Sequence, residues 1–290
     1  MSIQIDRLFY YPVKSFAAVQ CQQLIVDTWG PKNDRRLMLV DEHNNFFSQR
    51  QCPEMSQMHV VDNSDQLTLS FKGHKASFSW PSLNESLNTM TVNIWQDTCE
   101  AQIIDDPIVN WINDRLKRSL NSRLKLVYMA NHTHRQVDLE FSEEGVRTGF
   151  SDGFPFLLIN QASVEFLRNK LNKKAESPPQ VSPQEISVKS NSIDLNVKRF
   201  RPNIVITGCE PFAEKNWKKI RINGIEFDLV KPCSRCVIPT IDLKTGLKQK
   251  EVMQVLLEYC WEGQEVVMGE NMLHYGAGIL QVGQQVEIVE

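Results

Sequence analysis

Leu67, Leu69 and Phe71 alternate with polar residues, the chain turns at Lys72-Gly73-His74, and Ala76, Phe78 and Trp80 alternate again. A period of two places one set of side chains on one face, so this stretch reads as paired strands with a single buried side. Arg35 to Val40 and Phe46 to Arg50 flank the polar Glu42-His43-Asn44-Asn45, a second hairpin pattern. Farther on, Asn223-Gly224 separates Ile220 and Ile222 from Ile225, Phe227 and Leu229. Asn-Gly is the pair that most readily adopts the positive φ angles of a two-residue hairpin turn. Short strands at this spacing point to small barrels or sandwiches, so the expected fold class is mainly β with a few helices.

Three helices are expected among the strands. Asp106 is a good N-cap and Pro107 suits the first helical position, after which Ile108, Trp111, Ile112, Leu116 and Leu120 recur at helical spacing. A domain boundary is placed near residue 120, dividing the 290 residues into 1–120 and 121–290. A second helix is expected from Gln161 to Leu171 and a third from Lys250 to Tyr259. Residues 173–196 turn polar and carry Pro178, Pro179 and Pro183, which reads as a flexible surface insertion. Ile279 to Ile288 is expected to close the chain as strand around a turn at Gly283.

Thirty-two Lys and Arg oppose thirty-five Asp and Glu, a net charge of -3. That balance argues against nucleic acid as a partner and against a polybasic membrane arm. No apolar run approaches the ~18 residues of a membrane-spanning helix. No secretory apolar core follows the N-terminus, so a cytoplasmic location is expected. Seven cysteines lie scattered, and only Cys233 and Cys236 form a Cys-x-x-Cys pair. No second pair completes a four-thiolate zinc site, and no Cys-x4-Cys-x2-Cys run supplies an iron–sulfur cluster, so none is expected in this chain.

Four short clusters mix charge or hydroxyl with Pro or Gly at strand edges: Tyr11-Pro12-Val13-Lys14-Ser15, Ser151-Asp152-Gly153-Phe154-Pro155-Phe156, Arg199-Phe200-Arg201-Pro202-Asn203 and Lys231-Pro232-Cys233-Ser234-Arg235-Cys236. Rigid loops of this kind often carry sites, although any one of them is equally a turn with solvated charges. Cys236 has three readings at this level. It is a small buried hydrophobe, a thiolate favoured by Lys231 and Arg235, or half of a dithiol switch with Cys233. The last lacks the strand-to-helix context of thioredoxin-like motifs, because Ile238-Pro239 blocks immediate helix growth.

Taken in order, these clusters resemble the MOSC family, and within it the branch of the mitochondrial amidoxime-reducing component and the YcbX-like proteins. The resemblance begins at Tyr11 to Ser15, Asp34-Arg35 and Gln49-Arg50, and continues through Phe150-Ser151-Asp152 and Phe200-Arg201-Pro202-Asn203. It ends with Cys233-Ser234-Arg235-Cys236, Asp242, Gly269-Glu270-Asn271 and Val282-Gly283. It implies an N-terminal β-barrel domain over 1–120 and a MOSC β-barrel domain over 121–290. It also implies a molybdenum cofactor (molybdopterin) held between them, with Cys236 as the metal ligand, in keeping with soft sulfur ligation. Lys14, Ser15, Arg50, Arg201 and Asn203 match positions that hold the phosphate and pterin, and Ser151 and Asp152 match positions at the pterin ring.

The implied activity is reduction of hydroxylamines, N-hydroxylated bases and amidoximes. Asp242, the carboxylate nearest Cys236 in sequence, is a catalytic candidate for proton delivery or substrate orientation, and equally reads as a solvated residue of the turn from Asp242 to Gly246. The C-terminal ferredoxin domain of many YcbX-like proteins has no counterpart in this sequence. Electrons are therefore expected from a separate flavoprotein, ferredoxin or cytochrome-type protein. The alternative is a carrier that hands on the cofactor or a persulfide sulfur. No pyridoxal-phosphate desulfurase domain is visible in the sequence, so such a carrier would receive its sulfur from outside.

Overall fold

The computed structural model describes residues 2–81, 88–116, 122–176 and 193–290. Among these residues the chain is mainly β, with four sheets and three α-helices, as expected from the alternation. The largest sheet runs in the order Glu287–Ile288, Lys219–Ile222, Ile225–Ser234, Glu265–Tyr275, Phe156–Asn160, Ile204–Thr207, Gln4–Tyr10 and Val19–Cys21, with Trp261–Glu262 pairing on Glu265–Tyr275. Its pairs are antiparallel except Phe156–Asn160 beside Ile204–Thr207. A parallel neighbour needs a crossover, and the chain between these two strands contains the helix Gln161–Glu176.

A second sheet joins Leu37–Val40, Lys125–Tyr128, Asp97–Ile103 and Thr89–Ile94. The two halves of the chain thus exchange strands. Gln4–Tyr10 pairs on Ile204–Thr207, while Lys125–Tyr128 lies between Leu37–Val40 and Asp97–Ile103. Residues 117–121, where the sequence places a boundary, lie outside the described residues.

Local signals were reliable guides. Gln66–Phe71 and His74–Ser79 form a hairpin whose Lys72 and Gly73 take φ of 47° and 84°. Asn223 and Gly224 do the same at 49° and 78° between Lys219–Ile222 and Ile225–Ser234. Positive φ at both central residues matches the right-handed twist of the flanking strands. The helix Pro107–Leu116 is capped by the Asp106 carboxylate, which accepts from the Ile108 N–H at 2.7 Å, and it buries Ile108, Ile112 and Leu116. Leu120 lies outside the described residues. Lys250–Tyr259 is helical as expected.

Two expectations change. Phe46 to Arg50 is not a strand, since only Phe46 bridges to Val40 before the chain turns away at Ser48. All four residues of Leu37–Val40 are buried, and the partner they need comes from Lys125–Tyr128 instead. The second helix runs on from Leu171 to Glu176, so the start of the expected 173–196 insertion is helical; residues 177–192 lie outside the described residues. No helix of the described residues is long and apolar enough to cross a membrane.

Candidate functional site

Lys14, Ser15, Arg50, Ser151, Asp152, Arg201, Asn203 and Cys236 line a single cleft of about 790 Å³, open mouth included. Four stretches far apart in sequence build it. The first follows the strand Gln4–Tyr10, where the Lys14 N–H donates to Leu37 O at 2.7 Å and Ser15 turns through a left-handed φ of 70°. That turn buries the Lys14 side chain, whose Nζ donates to Phe150 O at 2.7 Å and to Asp152 Oδ1 at 2.6 Å.

Burial pushes the Lys14 ammonium down from its ordinary 10.5 to about 8, against the charge and hydrogen bond of Asp152, which pull it up. At Asp152, burial raises the carboxyl, but Lys14, and then Arg50 and Arg35, outweigh it and hold the group well below the usual carboxylate range. Its side chain keeps 61% exposure because one side faces the open cleft.

The loop that carries Ser151 and Asp152 is held by Arg135, a residue that belongs to none of the sequence motifs. Its guanidinium donates to Gly149 O at 2.8 Å, Ser151 O at 2.7 Å and Asp152 O at 3.3 Å, and it pairs with Asp97 at 2.7 Å. Ser151 Oγ is committed to Thr148 Oγ1 at 2.7 Å.

Arg201 caps the 3-10 turn Val197–Phe200 in a left-handed conformation. Arg201 and Arg35 both lie against the Tyr11 ring, at 4.2 Å and 4.6 Å. Arg35 is neutralised by Asp34 at 2.5 Å, and its Nη2 donates to Arg201 O at 3.1 Å. Arg201 donates from Nη1 to Phe16 O at 2.8 Å, but its Nη2 is buried with no hydrogen-bond partner. Burial lowers this guanidinium to about 10. A buried unsatisfied donor is costly, so a guanidinium kept this way suits an anionic guest.

Asn203 lines the same cleft yet is spent on the protein. Its Oδ1 accepts from Leu157 N at 3.2 Å and Arg35 Nη1 at 3.4 Å, and its Nδ2 donates to Asp34 at 3.2 Å and Phe9 O at 3.3 Å. It therefore holds Arg35, which lines the cleft, against the buried Asp34.

The opposite wall ends in the cysteines. Strand Ile225–Ser234 pairs with Glu265–Tyr275 through two register irregularities, and Arg235 then donates to Met268 O and to Phe200 O at 2.9 Å. Gly269 takes φ of 78°, and a Cβ there would come within 2.6 Å of Leu158 O. Glycine is required for this close passage, which lets Arg235 reach Met268. Of the seven cysteines, Cys233 and Cys236 are the two that reach the cleft. Burial pushes the Cys233 thiol up and it donates to Ser234 O, whereas Cys236 is half-buried at the cleft wall.

Asp242 is not in this cleft. Its Oδ1 accepts from Lys244 N, Thr245 N and Thr245 Oγ1 at 3.1, 2.9 and 2.9 Å, and its Oδ2 accepts from Arg199 at 2.9 Å. Burial opposes ionisation, but the Thr245 and Lys244 hydrogen bonds hold its pKa below the ordinary value. A carboxylate so occupied has no proton to deliver, and nearness in sequence to Cys236 does not become nearness to the cleft. Arg199, which Asp242 steadies, does line it, as do Arg35 and Arg235.

One result follows for the ammonium. An anion entering the cleft restores the charge that burial penalises, so phosphate binding near pH 8 is expected to take up a proton, and affinity to fall as pH rises through about 8. Titration calorimetry in two buffers of different ionisation heat reads this, and Lys14→Met is expected to remove it. Stability moves in the opposite sense. Above about 8 the unfolded chain holds this proton longer than the folded one, so the Lys14 contribution rises with pH towards 10.5.

Comparison with known proteins agrees with this architecture. A model described as the MOSC N-terminal beta barrel domain matches residues 2–119, and one described as the MOSC domain matches residues 146–287. Mitochondrial amidoxime-reducing component 1 of Homo sapiens is 25% identical over 98% of this chain and 82% of its own length. The molybdenum cofactor sulfurases of Danio rerio and Oryza sativa subsp. japonica are 28% and 26% identical over 98% of this chain, which spans about a third of each (34% and 35%). With both domain models matched in order along the strands and cleft described above, the chain belongs to the MOSC family, a MOSC N-terminal β-barrel domain followed by a MOSC domain.

Proposed function

We propose that the cleft holds a molybdenum pterin cofactor and that the protein reduces N-hydroxylated compounds with electrons from a separate redox protein. The observation that carries this reading is the buried, unpartnered Nη2 of Arg201, set beside Arg35 in a cleft whose other wall presents the Cys236 thiol. Among the described residues no three His, Cys, Asp or Glu side chains converge, so a metal here would draw most of its ligands from a bound group. A dithiolene-bearing anionic pterin fits that demand, with Cys236 giving the protein's thiolate.

Lys14, Arg35, Arg50 and Arg201 would hold its phosphate. Asp152 would accept N–H groups of its ring, with Ser151 alongside, and Asn203 would keep Arg35 and Asp34 in place. When bound, the cofactor supplies the two-electron reduction of the N–O bond. R–NHOH takes two electrons and two protons and gives R–NH2 and water. The chain's part is to orient the group, to keep Cys233 protonated and out of the metal's way, and to leave the cleft mouth open to substrate.

The relatives' names lend weight to molybdenum chemistry in this family, and their division between a reducing component and a sulfurase keeps a second reading alive. In it, Cys236 carries cofactor or persulfide sulfur to other proteins. Both are tested on protein expressed with molybdate. Bound molybdenum with pterin fluorescence, and turnover of hydroxylamine with an artificial reductant, is the expected result. Bound cofactor without turnover favours the cofactor carrier. Metal-free protein at full cofactor supply overturns the reductase and the cofactor carrier, and a Cys236 that takes up no persulfide sulfur from a desulfurase overturns the rest.

A further inference from the structure

The cleft opens through Asp152, Gly153 and Phe154 into a wider hollow of about 1350 Å³, open solvent included. One wall of the hollow is Trp95, at the tip of the hairpin formed by Thr89–Ile94 and Asp97–Ile103. Ile94 pairs directly with Asp97, so Trp95-Gln96 is a two-residue turn. Trp95 has φ of 57°, whereas Gln96 is not among the residues with positive φ. A turn with positive φ at its first central residue alone calls for glycine, and a bulky aromatic there is strained. Strain of this kind persists where something else is gained.

The ring is braced on the protein by Arg50 at 4.5 Å and Phe46 at 5.0 Å, yet the side chain remains half exposed to the hollow. The same hollow is lined by Leu139, 64% exposed, and by Phe141, whose ring meets Phe154 edge-on at 5.7 Å. With its Nε1 also donating to Asp152 Oδ1 at 3.4 Å, Trp95 is a braced, half-open aromatic platform in a hollow that shares an exposed aliphatic side chain, a lining suited to a flat ring.

We propose that this hollow receives the aryl portion of aromatic N-hydroxylated substrates, with Trp95 and Leu139 as its specificity-determining residues. The shared rim at Asp152 to Phe154 lets the N–OH end of such a molecule enter the cleft while its ring stays on Trp95. This rests on the reading of the cleft as the reducing centre. Small substrates without a ring, such as hydroxylamine, pass without using the platform.

The test uses molybdenum-loaded protein with an artificial reductant, so that no redox partner takes part. Leu139→Ser is expected to raise KM for benzamidoxime about fivefold with kcat and the KM for hydroxylamine unchanged, and Trp95→Gly to raise KM for benzamidoxime about fivefold more than it raises that for hydroxylamine. Equal losses for both substrates in Trp95→Gly would mean that Trp95 serves only to hold Arg50, and no change in either variant would mean that the hollow takes no substrate. Both results overturn the proposal. Calorimetry of benzamidoxime with cofactor-free protein gives a separate answer: Leu139→Ser is expected to weaken binding by the same factor, and undiminished binding overturns the platform. If the loaded protein reduces no N-hydroxylated compound, the reading of the cleft falls, while this calorimetric arm still decides whether the hollow holds a ring.

Discussion

Cys236→Ala is expected to abolish turnover of N-hydroxylated substrates, by more than the 10–100-fold (order of magnitude) that follows loss of a residue merely supporting a metal ligand. The fold should barely notice. Cys236 is half-buried and lies two residues beyond the strand Ile225–Ser234, outside its hydrogen-bonded pairing, so the variant's stability should lie within about 1 kcal/mol of the parent's. Cys233→Ala is the matched control. The Cys233 thiol stays protonated against Ser234 O, and its removal should leave both bound molybdenum and turnover in place. Metal content and hydroxylamine reduction, measured together on the two variants, decide the matter. Full activity in Cys236→Ala would end the proposed assignment of the thiolate.

Arg135→Met is expected to cost on the order of 3 kcal/mol of stability and to empty the cleft. The guanidinium serves three carbonyls at positions 149, 151 and 152, of which Gly149 and Ser151 are buried and would be left without a donor. The loop that presents Ser151 and Asp152 would then lose its position, and Lys14 would lose an aligned partner. Asp97→Asn should cost far less, on the order of 0.5 kcal/mol, because the Asp97 carboxylate is about half exposed and water can replace its partner. Urea denaturation of both variants, with cofactor content alongside, distinguishes a clamp on the loop from an ordinary ion pair. Equal costs for the two would remove the clamp.

How much of this could be read beforehand differs with the range of the interaction. The hairpins at Lys72-Gly73 and Asn223-Gly224 follow from a few adjacent residues, and the helix after Asp106 from its cap and spacing. The hairpin expected at residues 35–50 failed because Leu37–Val40, buried at all four positions, takes its strand partner from residues 125–128. No local pattern announces a partner so remote.

The cleft residues were accessible through the order of their motifs, which says which side chains belong together but not what each one touches. Asn203 proved to be a tie between Asp34, Arg35 and two backbone groups, and Asp242 a turn cap with one oxygen on Arg199. Arg135 carries no motif at all, since its role exists only once the fold has brought three carbonyls to it. Trp95 offered one unused signal, an aromatic residue in a two-residue turn where glycine is favoured.

The exchange of strands between the halves has a consequence for synthesis on the ribosome. Leu8 lies beside Ile204, so this strand, once out of the exit tunnel, waits for a neighbour made almost two hundred residues later. At roughly 5–20 residues per second that wait lasts on the order of 10–40 s, during which the apolar side of Gln4–Tyr10 is uncovered. Such a nascent chain must keep this segment soluble, or shielded by a chaperone, until Ile204–Thr207 has emerged.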